Sequence, residues 1–254
     1  MRTVIKGLKK SGIRVYECHS RAYPRIFRLA ILAFKYFRIA NRVHVIFIAE
    51  AGHAYVPLGK LLSLITRKPL VFDAFLSHYH INVIDAEKFP VRSIKAKILY
   101  WLDKLTCHIA DLVLLDTPEH IDYFIKTFGL PGKKFRCLPV GSDDELFYPE
   151  TNGNGNHRSK FLVFLVASFY PLHGVSTVIR AAKLLETHTD IKFLIVGNGI
   201  TRPSVETLAK KLGVPNVTFK DIVPSYILPE IMARADVCLG HFGNTEHPNL
   251  VIPA

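Results

Sequence analysis

The sequence is poor in cysteine and has no long apolar run. Its four cysteines, Cys18, Cys107, Cys137 and Cys238, form no C-x-x-C pair, which argues against structural zinc and favours a reducing compartment. No stretch reaches the roughly 18–20 uncharged apolar residues that cross a bilayer. No secretory leader is visible, because residues 1–12 have the pattern of a helix end closed by Gly12. We therefore expect a cytoplasmic protein, either soluble or peripheral at a membrane.

Acidic residues are scarce relative to basic ones. The 254 residues include 33 Lys and Arg against 21 Asp and Glu, a formal net charge of +12. This surplus indicates an acidic partner such as nucleotide phosphates, anionic lipid, nucleic acid or a polyanionic glycan. Charge alone is only a generic electrostatic footprint, so we expect no nucleic-acid partner.

The stretch that organises the chain is 161–199, which has the pattern of a βαβ unit. Two buried strands flank a P-L-H-G turn and an amphipathic helix, and the second strand ends in G-N-G. The predicted inner face of the helix is Val175, Val178, Ile179, Ala182 and Leu185. Parallel sheets bind ligands where strands end and helices begin, so both turns are candidate sites.

The remaining segments also alternate between strands and helices. Strands are predicted at 13–18, 43–49, 69–73, 112–115 and 135–138, and helices at 24–40, 54–66, 92–109 and 118–128. Residues 151–160, rich in Gly and Asn, have the composition of a linker. We therefore predict an α/β fold with parallel sheets in two Rossmann-like domains, 1–150 and 161–254.

Helix 118–128 is predicted to face inward with Ile121, Phe124, Ile125 and Phe128, and the other three helices of the N-terminal half also have predicted inner faces. These are Leu29, Ala30, Ala33 and Phe37 on the first, Leu58, Leu61, Leu62 and Ile65 on the second, and Ile94, Ile98, Trp101, Leu102, Leu105 and Ile109 on the third. Opposite the first face lies a basic stripe made of Arg21, Arg25, Arg28, Lys35 and Arg42. Helix 24–40 is thus either a contact with an anionic membrane surface or an ordinary sheet-covering helix with a solvated basic face.

Polar residues follow the strand at 69–73, in the irregular segment 74–91. His78 and His80 are two residues apart and suggest a metal, but no third ligand stands at a recognisable spacing, so we predict no metal site. These histidines are interpreted as pocket-lining or surface residues.

The P-L-H-G turn is suited to a phosphate. Gly174 opens a helix whose free N–H groups attract anions, and His173 stands next to it. The alternative is a tight turn without a ligand.

In the V-G-N-G turn at 196–199, the position three residues beyond Gly199 is Arg202, so the G-x-G-x-x-G dinucleotide fingerprint fails.

Several segments resemble the group 1 glycosyltransferases, the retaining sugar-nucleotide enzymes of GT-B architecture. The donor-domain segments are LVASFYPLHGVSTVIRAAKLL, IKFLIVGNG, LAKKLGVPNVTFKDIVPSYILPEIMARADVCLG and FGNTEHPNLVIP. The acceptor-domain segments are KGLKKSGIRVYEC, KPLVFDAF, ADLVLLDT and GSDDELFYP. The resemblance implies two facing Rossmann-like domains that transfer a sugar from a nucleotide-diphosphate donor to a glycan or lipid-linked acceptor with retention. It implies no metal and no cofactor besides the donor substrate.

The resemblance also implies a set of site residues. Ser168 and His173 occupy the positions of the family's usual basic pair, beside Gly174 at the diphosphate. The nucleoside side is implied to be Gly197, Asn198, Gly199 and Val223, and the catalytic candidates are Asp73 and Glu246.

The resemblance also implies that the family's first strand, glycine loop and last helix are missing here. We therefore expect both domains to be incomplete and sugar transfer by this chain to be impaired. The alternatives are a non-catalytic nucleotide- or membrane-binding remnant of such an enzyme, and a GT-B sugar-nucleotide epimerase, which these motifs favour less.

Overall fold

The computed structural model divides into two compact units. It describes residues 2–20, 24, 27–50, 52–148, 160–245 and 250–251. The N-terminal unit is Met1–Gly141 with Leu250–Ile252, and the C-terminal unit is Ser142–Asn249 with Pro253–Ala254. The linker predicted at 151–160 lies, except for Lys160, outside the described residues, so the predicted domain boundary stays a prediction.

The N-terminal unit is built on a four-stranded parallel sheet of order β1-β2-β3-β4. The strands are β1 (Ile46–Ile48), β2 (Leu70–Asp73), β3 (Leu112–Leu115) and β4 (Phe135–Cys137). The helices are α1 (Arg2–Lys10), α2 (Arg28–Phe37), α3 (Val56–Thr66), α4 (Ile94–Ile109) and α5 (Pro118–Phe128). A π-helix covers His80–Asp85.

The C-terminal unit has a second parallel sheet, of order β7-β6-β5-β8. Its strands are β5 (Phe161–Val166), β6 (Ile191–Val196), β7 (Val217–Lys220) and β8 (Val237–Cys238). Its helices are α6 (Val175–Leu184), α7 (Arg202–Leu212) and α8 (Leu228–Ala233). The predicted α/β fold with two parallel sheets is confirmed.

Local sequence patterns explain the best-predicted helices. Thr117 caps α5 by accepting a hydrogen bond from the His120 backbone N–H, and Gly129 ends it in the left-handed conformation. Phe124 and Phe128 of α5 are fully buried. On α6, Val175, Val178, Ile179 and Ala182 are buried and Leu185 packs against the same core. The predicted inner face of α6 is thus confirmed.

Two predictions near the N-terminus are wrong. Residues 13–18 form no strand. An extended segment becomes a strand only by pairing with another strand, and β1 pairs with β2 and not with these residues. The second helix is shorter than the predicted 24–40, since α2 begins at Arg28. Its buried side chain is Tyr36, while Leu29 and Phe37 of the predicted inner face are exposed.

The rotation of α4 is the largest departure from prediction. Ile94, Ile98, Trp101 and Leu105 were predicted in the core, yet each is more than half exposed. The residues that α4 buries are Ala96, Asp103, Thr106 and Cys107. Hydrogen bonds of Asp103 explain this rotation of α4. Its carboxylate accepts from the Ser77 hydroxyl at 2.7 Å and from the Tyr79 backbone N–H at 2.9 Å. A buried carboxylate without these donors would cost several kcal/mol.

Among the described helices, none is long and apolar enough to cross a membrane.

Two neighbouring leucines of α3 test this account of the N-terminal core. Leu62 is 6% exposed and Leu61 is 54% exposed, although both were predicted to face inward. Leu62→Ala should lower the free energy of unfolding by about 2–5 kcal/mol, and Leu61→Ala by less than about 0.5 kcal/mol. The measurement is urea unfolding followed by the fluorescence of Trp101, the only tryptophan. Equal losses would show that α3 is rotated differently.

Candidate functional site

The P-L-H-G turn of the C-terminal unit is held in place by the segment after β8. Residues Pro171–His173 form a 3-10 turn, and Gly174 starts α6 in the left-handed conformation, at φ +58°. The backbone N–H groups of Phe242 and Gly243 donate to the carbonyls of His173 and Leu172 at 3.1 and 3.0 Å. Because both carbonyls are engaged, the turn has a defined shape without a ligand.

The His173 side chain lies across this turn. Its Nδ1 is 3.3 Å from the Tyr170 carbonyl, and the Ser168 backbone N–H donates to its Nε2 at 3.5 Å. These contacts suit the neutral tautomer that carries its proton on Nδ1. The ring also packs edge-on against His241, with centroids 4.9 Å apart. Ser168 and His173, predicted as neighbours at the phosphate, are therefore in contact.

The glycines of the two turns are required by packing between backbones. A Cβ on Gly174 would lie 2.1 Å from the carbonyl carbon of Phe242. A Cβ on Gly197 would lie 1.9 Å from the Ala167 carbonyl oxygen, and one on Gly199 equally close to that of Ser168. Such distances exclude any side chain. The backbone that approaches Gly174 closely is thus the protein's own, at Phe242.

Arg202 connects the V-G-N-G turn to the end of β7. Its guanidinium donates to the Gly197 carbonyl and to Asp221 Oδ1, each at 2.6 Å, and to Glu206 Oε1 at 2.7 Å. The two carboxylates raise its pKa, with the hydrogen bond to Glu206 as the largest cause. Arg202, which breaks the G-x-G-x-x-G fingerprint, therefore holds the V-G-N-G turn in place.

The remaining nucleoside-side candidates lie along the same edge of the sheet. Asn198 Oδ1 accepts a hydrogen bond from the Gly199 N–H at 2.8 Å, and Gly197 N–H donates to the Lys220 carbonyl at 3.1 Å. Val223 is half-buried, three residues beyond the end of β7. The structure thus brings the predicted donor-side residues to the carboxyl ends of β5, β6 and β7, and their roles stay predictions.

Carboxylates mark the corresponding edge of the N-terminal sheet. Glu50 follows β1, Asp73 ends β2 and Asp116 follows β3. Asp73 is 7% exposed, and burial, followed by the negative charge of Glu50, raises its pKa to about 6. The other predicted catalytic residue, Glu246, lies outside the described residues.

Asp116 has a buried partner on α5. His120 Nδ1 is 2.7 Å from Asp116 Oδ1, and both side chains are nearly inaccessible. The two residues are four apart at a strand–helix junction, so that the first turn of α5 brings them together. Asp116 and His120 are therefore the polar groups next to Asp73 that the sequence reasoning missed.

Of the two histidines in segment 74–91, His80 is buried in the core and His78 is half-buried. His80 is 1% exposed and packs against the Tyr123 ring, and the His78 ring contacts His53. The interpretation of His80 as a pocket or surface residue is therefore wrong. Among the described residues, no group of three His, Cys, Asp or Glu side chains is placed to hold a metal.

His53 and Asp103 touch without forming an ion pair. His53 Nε2 lies 3.4 Å from Asp103 Oδ1, but burial, with a contribution from His78, lowers the pKa of His53 to about 3. Burial also raises the pKa of Asp103 to about 6, against the opposing effect of its hydrogen bond from Ser77. At neutral pH a neutral imidazole therefore faces a carboxylate held by the Ser77 and Tyr79 donors.

Solved structures of other proteins share this fold. The chain has a TM-score of 0.62 with the structure of Anabaena Alr3699/HepE in complex with UDP and glucose, at 18% identity over 93% of this chain and 63% of that one. WaaG, a glycosyltransferase involved in lipopolysaccharide biosynthesis, gives 0.60 at 18% identity over 91% and 61%. Sucrose-phosphate synthase from Thermosynechococcus elongatus gives 0.57 at 20% identity over 85% and 56%. The fold is GT-B-like, as predicted.

A family model matches part of the chain, in the C-terminal unit. Residues 150–245 match the family described as Glycosyl transferases group 1, which confirms the resemblance predicted from the motifs. No curated protein matches the chain. The chain spans less than two thirds of the length of HepE.

Two glycines with similar backbone angles test the packing at the turn. Gly174 and Gly213 both have positive φ, +58° and +62°, but no atom lies within 4 Å of a Cβ built on Gly213. Gly213→Ala should cost about 1–2 kcal/mol, the strain of the left-handed conformation alone. Gly174→Ala adds the collision with Phe242 and should cost more. Urea unfolding of the C-terminal unit followed by circular dichroism checks this, and equal costs would refute a tight contact at Gly174.

The pKa of Asp73 predicts how stability depends on pH. The pKa of about 6 exceeds the ordinary aspartate value of 3.8, so between these pH values the folded state binds more protons than the unfolded state. Stability due to Asp73 is therefore lost as pH rises. From pH 5 to about 7.5, Asp73→Asn should gain about 1 kcal/mol relative to the unaltered protein.

The measurement is urea unfolding followed by Trp101 fluorescence at the two pH values. Asp122→Asn, on the exposed side of α5, is the matched control and should show no pH-dependent gain. The same gain in both variants, or in neither, would contradict the raised pKa of Asp73.

Proposed function

We propose that this protein is a retaining glycosyltransferase that transfers a sugar from a nucleotide-diphosphate donor to a glycan or lipid-linked acceptor. One observation carries the proposal. Within a segment that matches the group 1 family, the start of α6 and the V-G-N-G turn lie side by side at the carboxyl ends of β5 and β6. Ligands of parallel sheets bind at such strand ends.

The start of α6 is the proposed site of the diphosphate. No side chain of the described residues caps this helix, whereas Ser93 and Thr117 cap α4 and α5. The uncapped amides of Val175 and Ser176 carry the positive end of the helix dipole. They would stabilise the charge that develops on the leaving diphosphate, an effect that usually contributes most to catalysis.

Ser168 and His173 would complete the diphosphate site. The Ser168 N–H and His173 Nε2 are 3.5 Å apart, at the long limit of a hydrogen bond. In the tautomer that carries its proton on Nε2, His173 can donate to a phosphate oxygen that also accepts from the Ser168 N–H. A charge-assisted bond is about twice as strong as a neutral one, which favours this exchange.

The nucleoside would lie against Gly197, Asn198, Gly199 and Val223. HepE binds UDP and UDP-glucose in its solved structures, as their descriptions state, so a UDP-sugar is the first donor to examine. Above pH 6 Asp73 is mostly ionised, and we propose that it accepts a hydrogen bond from a hydroxyl of the donor sugar or the acceptor. Glu246 is kept as the second catalytic candidate.

We also propose that the protein is cytoplasmic and peripheral at the membrane, with helix 24–40 as a contact for anionic lipid. Of the basic stripe, Arg28, Lys35 and Arg42 are described, and Arg21 and Arg25 lie outside the described residues. Such a location would place the enzyme near a lipid-linked acceptor. Cations close to an anionic leaflet contribute about 1 kcal/mol each.

Two histidines of the C-terminal unit test the donor site. His173→Ala should weaken binding of UDP-glucose about tenfold, the effect of one charge-assisted hydrogen bond. His188→Ala, an exposed position beyond the end of α6, should leave it unchanged. The measurement is isothermal titration calorimetry. Undetectable binding of all nucleotide sugars would refute the donor site, and binding without sugar transfer to any acceptor would support the non-catalytic alternative.

A further inference from the structure

Three neighbouring helices of the N-terminal unit present large apolar side chains to the outside. On α4 these are Ile94, Ile98, Trp101 and Leu105. On α3 they are Leu61, Leu64 and Ile65, and on α2 they are Leu29, Phe34 and Phe37. Their exposed fractions range from 47% to 77%. Because α3 packs against both α2 and α4, we treat these ten side chains as one surface, the outer face.

The outer face differs from the surfaces of α5 and α7. The exposed residues of α5 include Glu119, Asp122 and Lys126, and those of α7 are polar apart from Pro203. On α4 the helix is turned by the hydrogen bonds of Asp103, which leaves its apolar stripe outward. Monomeric proteins rarely leave contiguous apolar areas of this extent uncovered.

The exposed charged side chains of α2, α3 and α4 are all cationic. The helices α2, α3 and α4 contain one carboxylate, Asp103, and it is fully buried. Their cations include Lys95 and Lys97, both exposed, and Lys104. Asp111, just beyond α4, is partly exposed and is paired with Lys60 of α3 at 2.6 Å. An apolar area among cations, with no exposed carboxylate within the three helices, is complementary to an anionic interface that has an apolar interior.

Trp101 stands in the middle of the α4 stripe. Its indole is 52% exposed, and Lys104 Nζ lies 5.4 Å from its ring centroid. Trp rings prefer the boundary between headgroups and acyl chains, and a lysine can bury its stem while its ammonium reaches the headgroups. A protein partner would equally cover apolar area, but it would not explain the absence of exposed carboxylates from all three helices.

We infer that the outer face binds the surface of a membrane that contains anionic lipid, with α4 lying in the interface and Trp101 at the level of the headgroups. This inference extends the membrane contact proposed for helix 24–40 to α3 and α4. It rests on the proposed function in one respect, since a lipid-linked acceptor would be a reason for the protein to bind a membrane. It does not depend on donor binding.

The single tryptophan makes the test direct. Vesicles of phosphatidylcholine with phosphatidylglycerol should shift Trp101 emission to shorter wavelength, and brominated acyl chains should quench it. Vesicles of phosphatidylcholine alone should bind more weakly, since the cations then lose their partners.

Ile94→Asn with Ile98→Asn should reduce partitioning at least about tenfold, because burial of each CH₂ group contributes to membrane affinity. Ile222→Asn is the matched control, since Ile222 is exposed on the C-terminal unit, and it should bind like the unaltered protein.

Other results would overturn the inference. Vesicle binding that survives the Ile94 and Ile98 changes but is lost in Arg28→Glu with Lys35→Glu would place the contact on α2 alone. A dimer in sedimentation velocity that the Ile94 and Ile98 changes dissociate, without vesicle binding, would show that a second copy covers the outer face. Titration with UDP-glucose separates the two proposals. If the unaltered protein binds UDP-glucose but does not bind the anionic vesicles, this inference is contradicted and the proposed donor site stands.

Discussion

The buried carboxylate of Asp103 is the constraint on which the N-terminal unit depends. It accepts hydrogen bonds from the Ser77 hydroxyl and the Tyr79 N–H, and Ser77 in turn accepts from the His80 N–H. One side chain therefore fixes both the rotation of α4 and the course of the segment after Asp73. The polar network inside and the apolar outer face are two consequences of the same bonds, because a helix cannot turn Asp103 inward without turning Trp101 outward.

The C-terminal unit depends instead on close packing between backbones. Gly174, Gly197 and Gly199 each lie where a Cβ would collide with a neighbouring backbone. Arg202 then bridges the V-G-N-G turn and the β7 end through Gly197 and Asp221. Together these contacts preorganise the donor-side turns, so that a ligand would meet amides already held in position.

Sequence reasoning succeeded where the signal is local. The inner face of α6 follows from spacing within one helix, and the α/β fold with parallel sheets follows from strands that alternate with helices. The GT-B architecture was implied by the resemblance to the group 1 family. It failed for α4, because the partners of Asp103 are about 25 residues earlier in the chain and apolar periodicity carries no information about them. Arg202 and His241 were missed for the same reason, since their contacts at Asp221 and His173 depend on strands that meet only in the folded sheet.

The strand order of the two sheets has a consequence for folding. In the N-terminal sheet each strand pairs with the next one along the chain, whereas β8 pairs with β5 across 74 residues, as Val163 opposite Val237 shows. Long-range pairing requires closure of a long loop and is therefore slow. The segment that holds the P-L-H-G turn follows β8 directly. We therefore expect this turn to reach its final shape last, after β8 has joined the sheet.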